Sequence, residues 1–150
     1  MRARLLGLGV AAVVFAGTAA CDEDLSTLAG PTPNLTPTFS SIQTEIFNTT
    51  DSSGRLACIN CHNPAGRAFT AGLDLTSPGS YARLVGVASV ERPGLQRVSP
   101  GNPDGSYLIH KLEGGPAIVG VRMPRGTGPF LTTGQMQIVR RWIELGANND

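Results

Sequence analysis

Aromatic and histidine side chains are scarce in this 150-residue chain, with one Trp, two Tyr, five Phe and two His. A domain so poor in rings has little of the large apolar surface that usually dominates a core. Neither sign of charge prevails, since 12 basic residues stand against 11 acidic ones. That balance lacks the basic footprint of nucleic-acid binding. Long apolar runs are missing too. Leu5 to Gly17 is uncharged and apolar but too short to span a bilayer. Cysteine is limited to three, an odd number that disulfide pairing cannot use up. No internal repeat and no second domain is visible. Glycine and proline are abundant, at 19 and 11, so long loops are expected.

Two of the cysteines lie in Cys58-Ile59-Asn60-Cys61-His62. C-x-x-C-H is the attachment sequence for c-type haem. Two thiols three positions apart lie near one face of a helical turn, where both can reach the vinyl groups of one porphyrin as thioethers. The adjacent imidazole is then held under the iron as the proximal ligand. A zinc site would need about four ligands, and one further Cys and one further His remain. A thioredoxin-like redox pair would want a strand-to-helix context and leaves His62 without a role. A buried haem would also supply much of the missing apolar surface.

The N-terminus names a compartment. Met1-Arg2-Ala3-Arg4 is a short basic segment, and the apolar run behind it suits a signal peptide over residues 1–20. Thr18-Ala19-Ala20-Cys21 resembles a bacterial lipobox, which implies that Cys21 is acylated and becomes the mature N-terminus. Ordinary cleavage after Ala20 is the alternative and would leave a free thiol in a soluble periplasmic protein. Acylation accounts for all three cysteines, one for lipid and two for haem. Both routes export the chain, and haem attachment in bacteria takes place on that side of the inner membrane. The expected location is a periplasmic-side, membrane-anchored lipoprotein, with inner or outer membrane left open. Removing the signal leaves 10 basic residues against 11 acidic ones. Residues 22–38 read as a Pro/Thr-rich flexible tether, reaching on the order of 50 Å at about 3 Å per residue.

Residues 39–150 read as one mainly α domain with long loops. Phe39, Ile42 and Ile46 suggest a helix near 39–48. A helical turn should carry Cys58 to His62. Ser77-Pro78 reads as an N-cap and first helical proline, opening a helix through Val85. Asn102-Pro103-Asp104 repeats that signal for a helix through Leu112, ended by Gly114-Gly115. In the last helix Thr132 and Gln135 form a capping box, and Leu131 with Met136 a hydrophobic staple. Ile138, Val139, Trp142 and Ile143 share one face of it, with Gln137, Arg140, Arg141 and Glu144 opposite. Gly146 closes it.

This order of elements resembles the class I cytochrome c fold. The resemblance rests on Cys58, Cys61 and His62, on Met123-Pro124, and on the last helix with Trp142-Ile143-Glu144-Leu145-Gly146-Ala147. The stretch from Arg97-Val98-Ser99-Pro100-Gly101-Asn102-Pro103 through Ser106-Tyr107-Leu108 to Lys111-Leu112 resembles bacterial monohaem cytochrome domains of exported lipoproteins. It implies a first helix packed on the last, and a Met on a late loop as distal ligand. Met123, in the aperiodic stretch 113–131, is the expected residue. Pro124 biases it toward extended backbone that could present its thioether inward. Met136 and His110 are the other candidates; the staple explains Met136, and the helical wheel turns His110 to solvent.

With His62 and Met123 both bound the iron is closed, and the implied function is one-electron transfer rather than enzymatic catalysis. Thioether ligation favours ferrous iron, and Leu73, Leu75, Leu108 and Ile109 are candidates to bury the cofactor. His62 should donate its other ring N–H to a carbonyl, with the turn around Ala71-Gly72 a candidate. Arg97 and Tyr107 are candidate propionate donors. Arg55, Arg67, Arg122 and Arg125 could form a basic rim for an acidic redox protein, donor or acceptor. Two alternatives stay open: a haem enzyme or small-gas sensor with an open distal site, and a relay module of a larger redox complex.

Overall fold

The computed structural model describes residues 30–66 and 72–150. The signal segment, Cys21, the first part of the tether, Arg67 and Ala71 lie outside the described residues. The described chain is small and mostly helical, and its only β pairing is isolated bridges joining Val85 to Val98, Ala88 to Gln96 and Gln96 to Ser106. Among the described residues no helix is long and apolar enough to cross a membrane.

Helix α1 spans Phe39–Ile42 and continues as a π turn over Gln43–Phe47. It starts where Thr38 turns to extended backbone and its hydroxyl accepts from Ser41 N–H, satisfying a donor the first turn leaves open. Phe39, Ile42, Ile46 and Phe47 are all buried. The spacing of the first three predicted this element.

Helices α2, Ser80–Leu84, and α3, Tyr107–Glu113, both begin later than their proline signals. Ser77 and Pro78 lie in a turn, and Gly79 is the residue before the helix. That turn is drawn back by Arg83, which donates to the carbonyls of Asp74 (2.9 Å) and Thr76 (2.8 Å). Asn102 likewise caps only a turn, its Oδ1 accepting from Gly105 N–H at 2.9 Å, and Ser106 precedes the helix. In both places an Xaa-Pro pair suits a turn as well as a helix start.

Helix α4, Thr133–Glu144, matches its signals. Thr132 Oγ1 accepts from Gln135 N–H and Gln135 Oε1 from Thr132 N–H. Leu131 and Met136 are both buried in one core with Ile138, Val139, Trp142 and Ile143. The Phe39 ring lies 5.6 Å from that of Trp142 and 5.1 Å from that of Tyr81, joining α1, α2 and α4.

The segment before α1 differs from its expected role as far as residue 38. Thr32 and Leu35 are buried, and Gln135 Nε2 donates to Thr32 Oγ1 at 3.0 Å. The packed domain therefore begins near residue 31. Its short polar and proline-rich character concealed one well-buried leucine.

Candidate cofactor-binding site

The Cys58-to-His62 segment folds as the expected turn. Cys58–Asn60 is a 3₁₀ turn, and the N–H groups of Cys61 and His62 both donate to Cys58 C=O, at 3.2 and 2.9 Å. The chain then doubles back through Asn63, whose Nδ2 donates to Ile59 C=O at 2.6 Å. Gly66 closes the return. A Cβ there would sit 2.0 Å from the Cys61 carbonyl oxygen, so no larger residue fits without moving the turn. Sequence reading passed over Gly66, although an Asn-Pro-Ala-Gly run behind the motif marks a tight turn.

Cys58 and Cys61 are both free thiols, the first half-buried and the second exposed. Burial pushes the Cys58 thiol up to about 11, against an opposing pull from the Arg55 cation. Its Sγ–H donates to the Ile46 carbonyl at 3.5 Å, linking the turn to the end of α1.

His62 is half-buried, and its Nδ1 lies 3.3 Å from Leu73 C=O. A carbonyl only accepts, so the proton sits on Nδ1 and Nε2 presents its lone pair. Burial draws the imidazole pKa below its ordinary value, outweighing the Leu73 bond that raises it. That shift favours the neutral ring, the form that coordinates metals. The accepting carbonyl lies just past the expected turn, because Gly72 C=O is taken by Arg97 Nη2 at 3.0 Å. Leu75 N–H donates to His62 C=O at 2.9 Å and keeps the two segments side by side.

Met123 is half-buried and packs on the main core, as do Cys58, Ile59, Leu73 and Leu108. Its N–H donates to Lys111 C=O at 2.7 Å. Leu75 and Ile109 are fully buried. Met136 is buried at the start of α4, in its stapling position. His110 does not face freely into solvent. Its Nε2 lies 2.7 Å from Asp104 C=O, its ring meets Tyr107 edge-on, and its Nδ1 is buried without a hydrogen-bond partner. The helical wheel missed this because the chain before α3 folds back over that face.

Several expected second partners are engaged elsewhere. The Arg97 guanidinium donates to Arg83 C=O and Gly72 C=O. Tyr107 Oη donates to Glu91 Oε2 and accepts from Val119 N–H, both at 2.9 Å. Arg55 is no part of a basic rim: it is wholly buried against Asp51, at 2.9 Å. Arg122 lies over the Phe130 ring and donates to Leu112 C=O, while Arg125 is exposed. Charged residues next to a functional motif gave no sign of which way they point. Asp51-Ser52-Ser53-Gly54 does carry a turn signal, and Asp51 Oδ1 accepts from Ser53 N–H.

Among the described residues no group of three or more His, Cys, Asp and Glu side chains is arranged to hold a bare metal ion. The turn offers two thiols and one imidazole nitrogen, and the Met123 thioether belongs to a loop that packs on the same core. No family model, no curated protein and no solved structure matches the chain.

Proposed function

We propose that this chain is a one-electron carrier with one covalent haem c, in a class I cytochrome c-like domain exported and lipid-anchored through Cys21. The observation that carries the reading is the 58–62 turn. It offers two unpaired cysteines and a neutral histidine whose Nδ1 is committed to Leu73. With Nδ1 so engaged, Nε2 is the atom a proximal ligand would use. The donor set fits haem c, and the half-buried Cys58, Ile59, Leu73, Leu108 and Met123 on the core edge supply an apolar border.

When bound, the haem supplies the ferric–ferrous couple. Cys58 and Cys61 would tether it, and His62 and Met123 would ligate its iron. The Leu73 carbonyl fixes the His62 tautomer and ring orientation and raises its basicity. Leu75 and Ile109, both buried in the core, would keep the surroundings apolar and so favour the ferrous state. With its iron ligands supplied by the chain, the haem would need no side chain as acid, base or nucleophile. The partners are redox proteins, donor and acceptor, and among the described arginines flanking the ligand segments Arg125 and half-buried Arg122 remain to meet an acidic one.

The test is expression with export and haem attachment, followed by acid–acetone extraction. Colour should stay with the polypeptide, and the Cys58→Ala/Cys61→Ala pair should release it. A ferric methionine-to-iron charge-transfer band is expected and should vanish in Met123→Ala. A colourless chain, or extractable colour in the wild type, refutes covalent attachment. Rapid carbon monoxide binding to the reduced wild type would establish the open-site enzyme or gas sensor instead.

A further inference from the structure

We propose that Glu91, Tyr107 and Lys111 form a latch that positions the Met123 loop and so governs how readily Met123 leaves the iron; the inference rests on the Met123 ligation proposed above. The stretch between Gly114 and Met123 contains no regular element. Val119, in its middle, is 46% exposed, so burial does not hold the loop there. Its main chain is held on both sides instead. Val119 N–H donates to Tyr107 Oη at 2.9 Å, and Val119 C=O accepts from Lys111 Nζ at 2.8 Å.

One carboxylate oxygen orders both of these side chains. Glu91 Oε2 accepts from Tyr107 Oη at 2.9 Å and pairs with Lys111 Nζ at 3.2 Å. Tyr107 and Lys111 are four residues apart on α3, hence on one face of it. They are 5% and 9% exposed. A lysine so buried is costly unless paired and hydrogen-bonded, which ties its position to Glu91 and Val119 together.

Lys111 grips the loop twice. Its ammonium holds Val119, and its carbonyl accepts Met123 N–H at 2.7 Å. Arg122 adds a third tie, from Nε to Leu112 C=O at 2.7 Å. All of these anchors belong to α3 except Glu91, which lies far earlier in the chain. Between Gly115 and Val121 the loop buries little, so its few polar ties weigh heavily in the local opening equilibrium. Exogenous ligand and thioether compete for one iron site. Any loosening of the loop therefore appears as tighter binding of the competitor.

The experiment uses the haem-loaded protein with Tyr107→Phe and Lys111→Met, and Val139→Ala as a control that destabilises the core from α4. Ferric samples are titrated with imidazole, and amide exchange is followed at Val119 and Met123. Each latch variant should bind imidazole about tenfold more tightly, the equivalent of about 1.4 kcal/mol. Both amides should exchange faster. Glu91→Gln, which keeps an acceptor oxygen, should move less than either. Val139→Ala should lower the unfolding midpoint without raising imidazole affinity. Unchanged affinity in both latch variants overturns the latch, as does an equal rise in Val139→Ala. A wild type without the methionine band overturns the Met123 assignment and the latch's role with it. A wild type bearing the band, with unmoved variants, overturns the latch alone.

Discussion

Arg55→Met should cost this domain more than any other single change to a charged residue. All five N–H donors of the guanidinium are used inside the protein. Nε donates to Asp51 Oδ2 at 2.9 Å, Nη1 to the carbonyls of Ile46 and Leu56, and Nη2 to those of Glu45 and Thr49. The side chain is 0% exposed and that of Asp51 1%. Arg55 thus caps the end of α1 and joins it to the segment that enters the Cys58 turn. Removing it strands a buried carboxylate, which typically costs about 3–5 kcal/mol. Four carbonyls lose their donors as well, at about 1 kcal/mol each where water does not replace them. The total approaches the stability of a whole small domain, about 5–15 kcal/mol. The assay is urea unfolding followed by the single tryptophan, Trp142. Arg55→Lys, which keeps the charge but fewer donors, should lose about 2 kcal/mol and remain measurable. Adding Asp51→Asn to Arg55→Met removes the stranded charge and keeps one acceptor oxygen, for Ser53, while the amide nitrogen replaces the oxygen that accepts from Gln135. That double variant should stay at least about 2 kcal/mol below wild type, because the carbonyls remain orphaned. Full recovery in the double variant, or a loss under about 1 kcal/mol in Arg55→Met, would refute the capping role.

Acid should unfold the protein through its aspartates. Burial pulls the Asp51 carboxyl up, but Ser53, Gln135 and Arg55 outweigh it, so it lies below its ordinary range; Asp74 is held low by the hydroxyl and N–H of Thr76. A folded pKa below the unfolded value of about 3.9 gives stability that is present above that value and lost as pH falls through the depressed one. Urea midpoints should therefore drop below about pH 4, and Asp51→Asn should flatten that slope; an unchanged slope counts against the assignment. Gly66→Ala should push the Cys61 carbonyl aside, lower haem loading and cost about 1–3 kcal/mol, measured as haem per polypeptide and urea midpoint. Normal loading at wild-type stability would show that the turn yields freely. Trp142→Phe keeps the contact with Phe39 but leaves Asn148 C=O without its indole donor, now at 2.9 Å. It should lower stability by about 1–2 kcal/mol by circular dichroism, and no loss would mean that water replaces the bond.

The parts of the fold legible from residues alone are those written in short-range spacing. The capping box of α4 uses two residues three apart, and its buried face follows the helical period over one continuous segment. The turn at Cys58 likewise closes on itself within five residues. Helix starts at Ser77-Pro78 and Asn102-Pro103 were misplaced because the same dipeptides serve turns, and bonds from Arg83 and Gly105 settle the choice. Thr32 looked like tether because its partner Gln135 lies a hundred residues on, and Leu35 because it is a lone apolar residue buried against the distant core.

Side-chain direction was the larger omission at the site. Arg55, Arg97, Tyr107 and Lys111 carry no sign in the sequence of whether they face solvent, cofactor or one another. Each became interpretable only when carbonyls and carboxylates from distant segments closed around it, as Glu91 and Val119 do around Lys111. Cys58, Cys61, His62 and Met123 are proposed as ligands from residue type and order alone. The commitment of His62 Nδ1 to Leu73, and the ties that hold the Met123 loop, belong to packing. Local spacing selects which atoms are available, because a turn repeats over a few residues. Burial selects which of them keep free lone pairs and donors, because that depends on what the rest of the chain brings against them.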